Sequence, residues 1–369
     1  MRRRFAIFIT VIQSILFLTH WFVYRTLTDF WSVPDPPGIS KLQAAFVLLS
    51  VTFVTASLLA FRSSHALVRV FYTISAVWLG ILIFCLLAAA SCWLIYAGAA
   101  LVGLHLDGRD LAMALFGLAM LASVYGSINA ARTRIKRITV KLPNLPESWR
   151  GRVAALVSDT HLGHVRNRGF ARRIVAAVKR LRPDVVFIAG DLFDGTAADP
   201  DRLAEPWADL RPPHGSYFVT GNHEEFSNPV QYLEAIKRSG IRILNNEKVT
   251  LDGLQVVGVH YHDTVRPERF RSILQRAAID RDRASILLTH APHRLAIAED
   301  EGISLQISGH THGGQLFPFT WITSRVYGRF VYGLECLGHL LVYTSSGAGT
   351  WGPPLRVGTR PEIVLIQFA

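Results

Sequence analysis

The stretch Val153-Ala-Ala-Leu-Val-Ser-Asp-Thr-His-Leu-Gly163 joins a short apolar run to a pair of polar side chains. Its first five residues predict a buried strand, and Asp159 and His161 follow where that strand ends. Four later blocks have the same form, an apolar run and then polar residues. They are Val185–Ala189 before Gly190-Asp191, Tyr217–Val219 before Gly221-Asn222-His223-Glu224, Ile286–Leu288 before His290, and Ile303–Ile307 before Gly309-His310-Thr311-His312.

Buried strands with polar residues at their carboxyl ends are typical of α/β domains, which bind ligands at that edge of the sheet. Side chains at i and i+2 share a face of an extended chain. This spacing predicts that Asp159 converges with His161, and His310 with His312. Glycines precede several of these residues, which indicates backbone turning close to a ligand. They are Gly190, Gly221 and Gly309.

The residue types indicate a site for two divalent ions. Two cations about 3.5–4 Å apart assist displacement at phosphorus by activating water and neutralising phosphate oxygens. The carboxylate of Asp191 is suited to bridge them, and Asn222 offers a neutral oxygen that does not repel an anionic substrate. No sulfur belongs to the set, which suits Mn, Fe, Zn, Co or Ni without choosing among them. Cys85, Cys92 and Cys336 form no disulfide or zinc motif.

In this order, the five blocks resemble those of the calcineurin-like metallophosphoesterase superfamily, of the membrane-associated bacterial type, over about Arg150 to Ala369. The resemblance implies a four-layer αββα sandwich with two packed sheets. It implies that Asp191 bridges the ions, that His223 contacts phosphate and assists the leaving group, and that Asp194 lies behind the ligands. The remaining ligands it implies are Asp159, His161 and His312 for the first ion, and Asn222, His290 and His310 for the second.

Each of these residues also has a structural interpretation when taken alone. His290 could be an ordinary core or surface histidine, Asp191 a helix N-cap, and Asn222 a turn residue. The ordered occurrence of all seven ligand candidates favours the metal site. His260 and His262 follow another apolar run, where either a pocket or a hydrated loop fits. His164, His214, His293 and His339 have no partner spacing and are interpreted as structural.

The first third of the chain is a different kind of polypeptide. Four segments lack formal charges, and about 20 apolar residues suffice to cross a bilayer. We therefore predict an all-α region of about four transmembrane helices and not a cleaved signal peptide. A short hairpin within the third segment stays open. The segments are Phe5–Tyr24, Leu42–Phe61, Val70–Leu104 and Leu111–Ile128.

Basic residues flank the predicted spans unevenly. Residues 1–150 hold 14 Lys/Arg and 5 Asp/Glu, a net +9 of the total +12, so the surplus does not indicate nucleic acid. Arg2–Arg4, the loop after span two and the segment after span four are basic, whereas Asp29, Asp35, Asp107 and Asp110 lie in the other loops. The positive-inside rule then predicts a multi-pass protein with a cytoplasmic catalytic domain.

The predicted organisation is a transmembrane region over 1–131, a basic juxtamembrane linker over 132–150 and the metallophosphoesterase domain over 151–369. Phe170, Ile174, Val178 and Leu181 have helical spacing, and Asp252-Gly253 predicts a hairpin turn. The basic residues of the first helix and its preceding loop suit either a solvated face or anionic lipid headgroups. They are Arg166, Arg168, Arg172, Arg173, Lys179, Arg180 and Arg182.

These features predict a membrane-anchored, two-metal phosphohydrolase acting on a phosphodiester or pyrophosphate. Anchoring favours a lipid-linked substrate, and the resemblance suggests UDP-diacylglucosamine. The alternatives are hydrolysis of nucleotides or phosphoproteins, a non-catalytic binding module, and a transporter or sensor served by the phosphoesterase. His20 is the main ionisable residue in the spans, which weakens the transporter alternative. Arg356, in a glycine- and proline-rich loop, suits either substrate contact or a structural role.

Overall fold

The computed structural model describes residues 2–31, 36–226 and 228–369. It divides into two compact units, one formed by the residues up to Ile128 with Gly352–Leu355, the other by Asn129–Trp351 with Arg356–Ala369. Asp35, one of the acidic residues in the charge argument, lies outside the described residues.

The first unit consists mainly of long apolar helices, which confirms the predicted all-α region. Among the described residues, four helices are long and apolar enough to cross a membrane. The third is one continuous helix of 36 residues, so the hairpin alternative is wrong. The helices are α1 (Arg2–Trp31), α2 (Pro36–Ala60), α3 (Ala66–Leu101) and α4 (Gly108–Ala131).

Polar side chains in these apolar helices form hydrogen bonds with neighbouring helices. The Trp78 indole on α3 donates to Nε2 of His20 on α1 at 2.9 Å, and Nδ1 of His20 donates to the Leu16 carbonyl. The Trp93 indole donates to the Thr26 hydroxyl at 3.0 Å. Such bonds help helices associate in an apolar solvent. His20 is therefore a bonded packing residue, as its two ring contacts account for both nitrogens.

The second unit alternates strands and helices, as the sequence predicts. Its strands are β1 (Arg134–Val140), β2 (Val153–Val157), β3 (Val185–Ile188), β4 (Ser216–Phe218), β5 (Arg242–Ile243), β6 (Glu247–Leu251), β7 (Leu254–Gly258), β8 (Ser285–Leu288), β9 (Leu305–Ser308), β10 (Gly333–Leu337), β11 (Leu340–Thr344) and β12 (Glu362–Phe368). Its helices are α5 (Arg168–Leu181), α6 (Pro200–Ala204), α7 (Pro229–Arg238), α8 (Tyr261–Thr264), α9 (Pro267–Arg276), α10 (Leu295–Asp300) and α11 (Phe319–Tyr327).

The strands form two six-stranded mixed sheets. The first has the order β1-β12-β2-β3-β4-β5, and the second β10-β11-β9-β8-β7-β6. Strands β2 to β5 are parallel, as are β7, β8 and β9, so their carboxyl ends meet at one edge of each sheet. The β6–β7 hairpin turns at Asp252-Gly253, as predicted.

Alternate strand residues pack on opposite faces of the sheets, which produces four layers. Leu156 and Phe187 of the first sheet share a core with Ile286 and Ile307 of the second. Their chain neighbours point outward, because side-chain direction alternates along a strand. The outer face of the first sheet packs on α5 and that of the second on α9. This confirms the α/β class with two sheets flanked by helices.

The segment predicted as a linker is different in the structure. Residues 134–140 form β1, which pairs in parallel with β12 from Arg134–Glu362 to Val140–Phe368. Trp149, near the end of the same segment, is fully buried and donates its indole N–H to the Leu251 carbonyl. The domain fold therefore begins before residue 150. The sequence did not predict β1 because the strand is basic and its partner, β12, lies more than 200 residues later.

Candidate metal centre

The loops at the strand ends have an unusual backbone conformation. Asp159, His161, Asp191, His310 and His312 all have positive φ, between 46° and 71°. This left-handed region is uncommon for non-glycine residues and costs about 1–3 kcal/mol at each position. The predicted convergence of Asp159 with His161 is confirmed, although the backbone there is not extended. His310 and His312 do not converge on one centre; they belong to two separate groups.

The first group contains a carboxylate and two imidazoles, all buried. Nε2 of His161 lies 2.9 Å from Nε2 of His312, which is 3.6 Å from Oδ1 of Asp159. Both Asp159 oxygens accept the His310 backbone N–H, at 3.0 and 3.1 Å. The loop after β9 is thereby held against the loop after β2, bringing together residues more than 140 positions apart.

The second group surrounds Nε2 of His290, at the end of β8. This nitrogen lies 3.0 Å from Oδ1 of Asn222, 3.0 Å from Nδ1 of His310 and 3.3 Å from Oδ2 of Asp191. On the other side of the ring, Nδ1 donates to the Ala189 carbonyl at 2.8 Å. That bond fixes the ring and turns Nε2 toward the other three residues.

Asp191 lies between the two groups. Its Oδ2 is 3.3 Å from Nε2 of His290 and 3.8 Å from Nε2 of His161. Its Oδ1 accepts the His223 backbone N–H at 2.9 Å. A single oxygen of Asp191 therefore faces both groups, while the other anchors the loop after β4. This position suits a bridging ligand.

The donor set fits divalent cations. Burial lowers the pKa of His161 and of His312 well below the usual range, which leaves neutral imidazoles, the form that binds metals. Although burial disfavours charge on Asp191, the nearby His290 and His223 lower its pKa well below its ordinary value. Oxygen and nitrogen atoms of these side chains thus face one another at 2.9–3.8 Å. Cations would satisfy this arrangement.

His223 lies beside both groups. Its Nδ1 donates to the Asp194 carbonyl at 3.0 Å, and its Nε2 is 4.0 Å from Oδ2 of Asp191. It also lies close enough to His161 and Asp191 to form a third potential ligand group. Its ring packs against Phe226 and Trp351, both exposed, with centroid separations of 4.4 and 5.9 Å. His223 therefore faces the open side of the centre.

Glycines allow the loops to approach so closely. A Cβ on Gly221 would overlap Oδ1 of Asp191, and one on Gly309 would overlap Oδ2 of Asp159. A Cβ on Gly190 would approach Nδ1 of His290 within 2.6 Å. The absent side chains at these three positions are therefore a condition for the ligand geometry, as the sequence predicts.

The sequence indicated no role for two residues next to the centre, Glu224 and Tyr261. Glu224 is fully buried and accepts backbone N–H groups from both β3 and β4 loops. The Tyr261 ring, at the start of α8, lies 5.5 Å from that of His290 and 5.7 Å from that of His310. Glu224 belongs to the quoted Gly-Asn-His-Glu block, but its acceptor role depends on the fold. No sequence signal marks Tyr261.

Other histidines considered in the sequence fall outside the three groups. His260 caps α8 through Nδ1 and pairs with Glu225 at 3.1 Å, and His262 is 3.7 Å from the same carboxylate. Buried His164 contacts the Thr196 hydroxyl at 2.9 Å. His293 stacks on Tyr327 and lies 6.2 Å from the His310 ring. Structural roles fit these contacts.

Two arginines considered as ligands for anions are buried instead. Arg356 is fully buried and donates to the carbonyls of Ser346, Gly349 and His312. Arg166, expected on a solvated face, is also buried; it donates to the Ala130 carbonyl and packs over Phe170. Both guanidiniums hold loops together. The substrate-contact interpretation of Arg356 and the surface interpretation of Arg166 are therefore wrong.

Carboxylates, imidazoles and an amide oxygen, most of them buried, face one another at the strand ends of a two-sheet α/β domain. This arrangement is typical of metal-dependent phosphoesterases. A family model described as calcineurin-like phosphoesterase matches residues 153–314. The chain is 35% identical over 287 residues to a transmembrane protein with metallophosphoesterase domain of Danio rerio, over 70% of this chain and 62% of that protein.

Two bacterial relatives are also similar to this chain. An uncharacterised metallophosphoesterase of Campylobacter jejuni is 33% identical over 251 residues, which is 66% of each chain. One of Aquifex aeolicus is 30% identical over 256 residues, 68% of this chain and 97% of that protein. The chain therefore belongs to the calcineurin-like metallophosphoesterase family. Its matched region spans less than two thirds of the length of the Danio rerio and Campylobacter jejuni relatives.

The four apolar helices and the name of the Danio rerio relative together indicate a membrane-associated protein. Family membership and the three clusters of His and Asp residues indicate a site for divalent metals.

Proposed function

We propose that this protein is a membrane-anchored hydrolase of phosphoric esters or anhydrides that uses two divalent ions. The observation that carries the proposal is the position of Asp191, with one oxygen facing a ligand group on each side. In the proposed assignment Asp191 bridges, and His223 acts on the substrate. The other ligands are Asp159, His161 and His312 for the first ion, and Asn222, His290 and His310 for the second.

Bound divalent ions would activate the attacking water and neutralise the phosphate oxygens. The chain's own residues supply position and proton transfer. The Asp194 carbonyl holds Nδ1–H of His223, so Nε2 faces the centre and is available to carry a proton to the leaving oxygen. Neutral Asn222 adds no negative charge that would repel the substrate. Five of the seven proposed ligands are buried, and Asn222 and His310 are half-buried, so bulk water is excluded from most of the centre.

The proposed substrate is a lipid-linked phosphodiester or pyrophosphate, with UDP-diacylglucosamine as the specific hypothesis. Four helices that are long and apolar enough to cross a membrane would hold the hydrolase at a bilayer, where a membrane-bound substrate is concentrated. We also propose that the protein crosses the membrane several times and that its catalytic domain is cytoplasmic. The excess of Arg and Lys beside the second and fourth helices supports this orientation.

Hydrolysis of bis-p-nitrophenyl phosphate by the purified full-length chain tests the catalytic proposal. We expect turnover that requires added Mn²⁺, Zn²⁺ or another divalent ion and that is lost in Asp191→Ala. Asp282→Ala, at an exposed aspartate, is the matched control and should retain activity. Absence of metal-dependent turnover by the parent would favour a binding module that has lost catalysis.

Lipid analysis of cells that lack the protein tests the substrate class. An accumulated lipid-linked phosphodiester or pyrophosphate would support the proposal, and the purified enzyme should then cleave that species. Accumulation of a soluble nucleotide or of a phosphoprotein would instead support the alternative substrates. Protease added outside intact cells should spare the catalytic domain if the proposed orientation is correct.

A further inference from the structure

Helix α11 presents an uncovered apolar surface beside the metal centre. The helix begins five residues after the 3₁₀ turn at His312–Gly314, and none of its residues is buried. Val326 is 71% exposed and Trp321 57%. Exposed apolar side chains clustered in this way commonly mark an interaction site. The α11 surface, as defined here, consists of Phe317, Phe319, Trp321, Ile322 and Val326, all exposed.

The exposed residues have the spacing of an amphipathic helix that lies on a surface. Phe319, Ile322 and Val326 recur at i, i+3 and i+7 and therefore share a face. The Arg325 guanidinium lies 4.9 Å from the centroid of the Trp321 ring. Tryptophan with an adjacent arginine is common at the boundary between headgroups and acyl chains, where one end is apolar and the other is wet.

Charge distinguishes among the partners that could cover this surface. Between Gln315 and Leu334 the formal charges are Arg325 and Arg329, with no acidic residue. A two-fold contact between copies of the chain would bring the same cationic face against itself. A bilayer containing anionic lipid accepts both the arginines and the apolar side chains. The composition therefore favours a lipid surface.

The covalent structure keeps this domain near a bilayer. Strand β1 begins at Arg134, three residues after the apolar helix α4 ends at Ala131. Because the connection is short, the domain stays close to the membrane surface. Binding to that surface then costs less translational entropy than it would cost a free protein. We propose that the α11 surface inserts into the headgroup region of an anionic bilayer, with Arg325 and Arg329 contacting lipid phosphates.

Such insertion would bring the metal centre to the lipid surface. Tyr327, the last residue of α11, has its ring 6.4 Å from that of His310 and stacks on His293 at 6.1 Å. At the start of the helix, Thr320 packs against Gly314 of the loop that follows His312. Helix α11 is therefore in contact with the ligand loop at both ends. This link to substrate delivery rests on the proposed function, whereas membrane insertion itself does not.

Spin labels on the full-length chain, reconstituted in vesicles of phosphatidylcholine and phosphatidylglycerol, test the insertion. A nitroxide is attached at Val326→Cys in a Cys336→Ser background, because Cys336 is exposed while Cys85 and Cys92 are buried. We expect collisions with lipid-soluble oxygen to exceed those with a water-soluble nickel complex by several-fold. A label at Lys237→Cys, exposed on α7, is the control and should show the reverse.

Two further comparisons make the result specific. Trp321→Ser with Ile322→Ser should return the label at 326 to water, whereas Ser324→Ala should not. Vesicles of phosphatidylcholine alone should weaken the insertion, since the arginines lose their anionic partners. Equal insertion in both vesicles would overturn the role given to the arginines.

The proposal is overturned if the label at 326 is as accessible to nickel as the label at 237. Spin–spin broadening that disappears on dilution with unlabelled chain would also overturn it, since a second copy would then cover the surface. The measurement requires no turnover. The test of membrane insertion is therefore valid even if the proposed hydrolase activity is not found.

Discussion

Glu224 accepts the backbone N–H of Asp191 at 3.0 Å, through an oxygen that also accepts the Gly221 N–H at 2.8 Å. Its second oxygen accepts the Phe193 N–H at 3.0 Å. Burial, and then the charge of Asp191, raise the pKa of Glu224 to about 8. One side chain thus joins the loops after β3 and β4, which carry the proposed bridging ligand and Asn222.

Glu224→Gln should weaken both the fold and the centre. The new amide places N–H groups where backbone donors need an acceptor, and an unsatisfied buried donor costs about 1–3 kcal/mol. Loss of support behind a ligand typically lowers metal affinity about 10–100-fold. Thermal unfolding and metal titration of the purified chain measure the two effects. Glu225→Gln, partly exposed, is the control; equal metal affinity in both variants would contradict the positioning role.

His223→Asn should separate proton transfer from metal binding. We expect both ions to remain bound, while kcat for a diester with an alkoxide leaving group falls by about 10²–10⁴-fold. The decrease should be much smaller for p-nitrophenolate, which leaves without a proton. Elemental analysis and the two kcat values check this. Loss of one ion would instead show that His223 is a ligand, as its closeness to His161 and Asp191 permits.

Gly309→Ala should abolish metal binding, although it adds only one methyl group. The added methyl would overlap Oδ2 of Asp159, so either the β9 loop or the carboxylate must move. Gly117→Ala is the matched control, because a Cβ there meets nothing within 4 Å. Ion content and hydrolysis rate should fall together in the first variant and stay unchanged in the second. Parent-like ion content in Gly309→Ala would count against the close packing described here.

Arg356→Met should destabilise the protein without a direct effect on substrate binding. The buried guanidinium donates to carbonyls of three residues, and each unsatisfied buried acceptor costs about 1–3 kcal/mol. We expect a clearly lower melting temperature but an unchanged KM for the protein that remains folded. Arg360→Met, at an exposed arginine, should melt like the parent. A raised KM with parent-like melting would restore the substrate-contact interpretation.

Local patterns predicted the strands that precede the site residues, because burial on both faces makes parallel strands continuously apolar. Strand β2 has the predicted bounds, and α5 contains all four apolar residues of the predicted helix. The order of the blocks also predicted that His161, Asp191 and His290 come together. These successes depend on residues close to one another in sequence and on repeated strand–loop units.

What the sequence did not reveal depends on contacts between distant segments or on backbone conformation. His310 and His312 belong to different groups, and the positive φ of both residues replaces the extended backbone that their spacing predicted. Strand β1 resembles a basic linker until β12 pairs with it. Arginine side chains are usually exposed. Arg166 and Arg356 can be buried because carbonyl oxygens of the folded protein accept their N–H groups.

The place of β12 in the first sheet affects how the protein is made. Because β12 lies between β1 and β2, that sheet cannot be completed until residue 368 has left the ribosome. The apolar helices leave the ribosome much earlier. In the meantime β1 and β2 have exposed edges, which favour aggregation. Newly synthesised chains should therefore depend on chaperones during the last stage of translation, and removal of the final strand should leave a protein that reaches the membrane but is degraded.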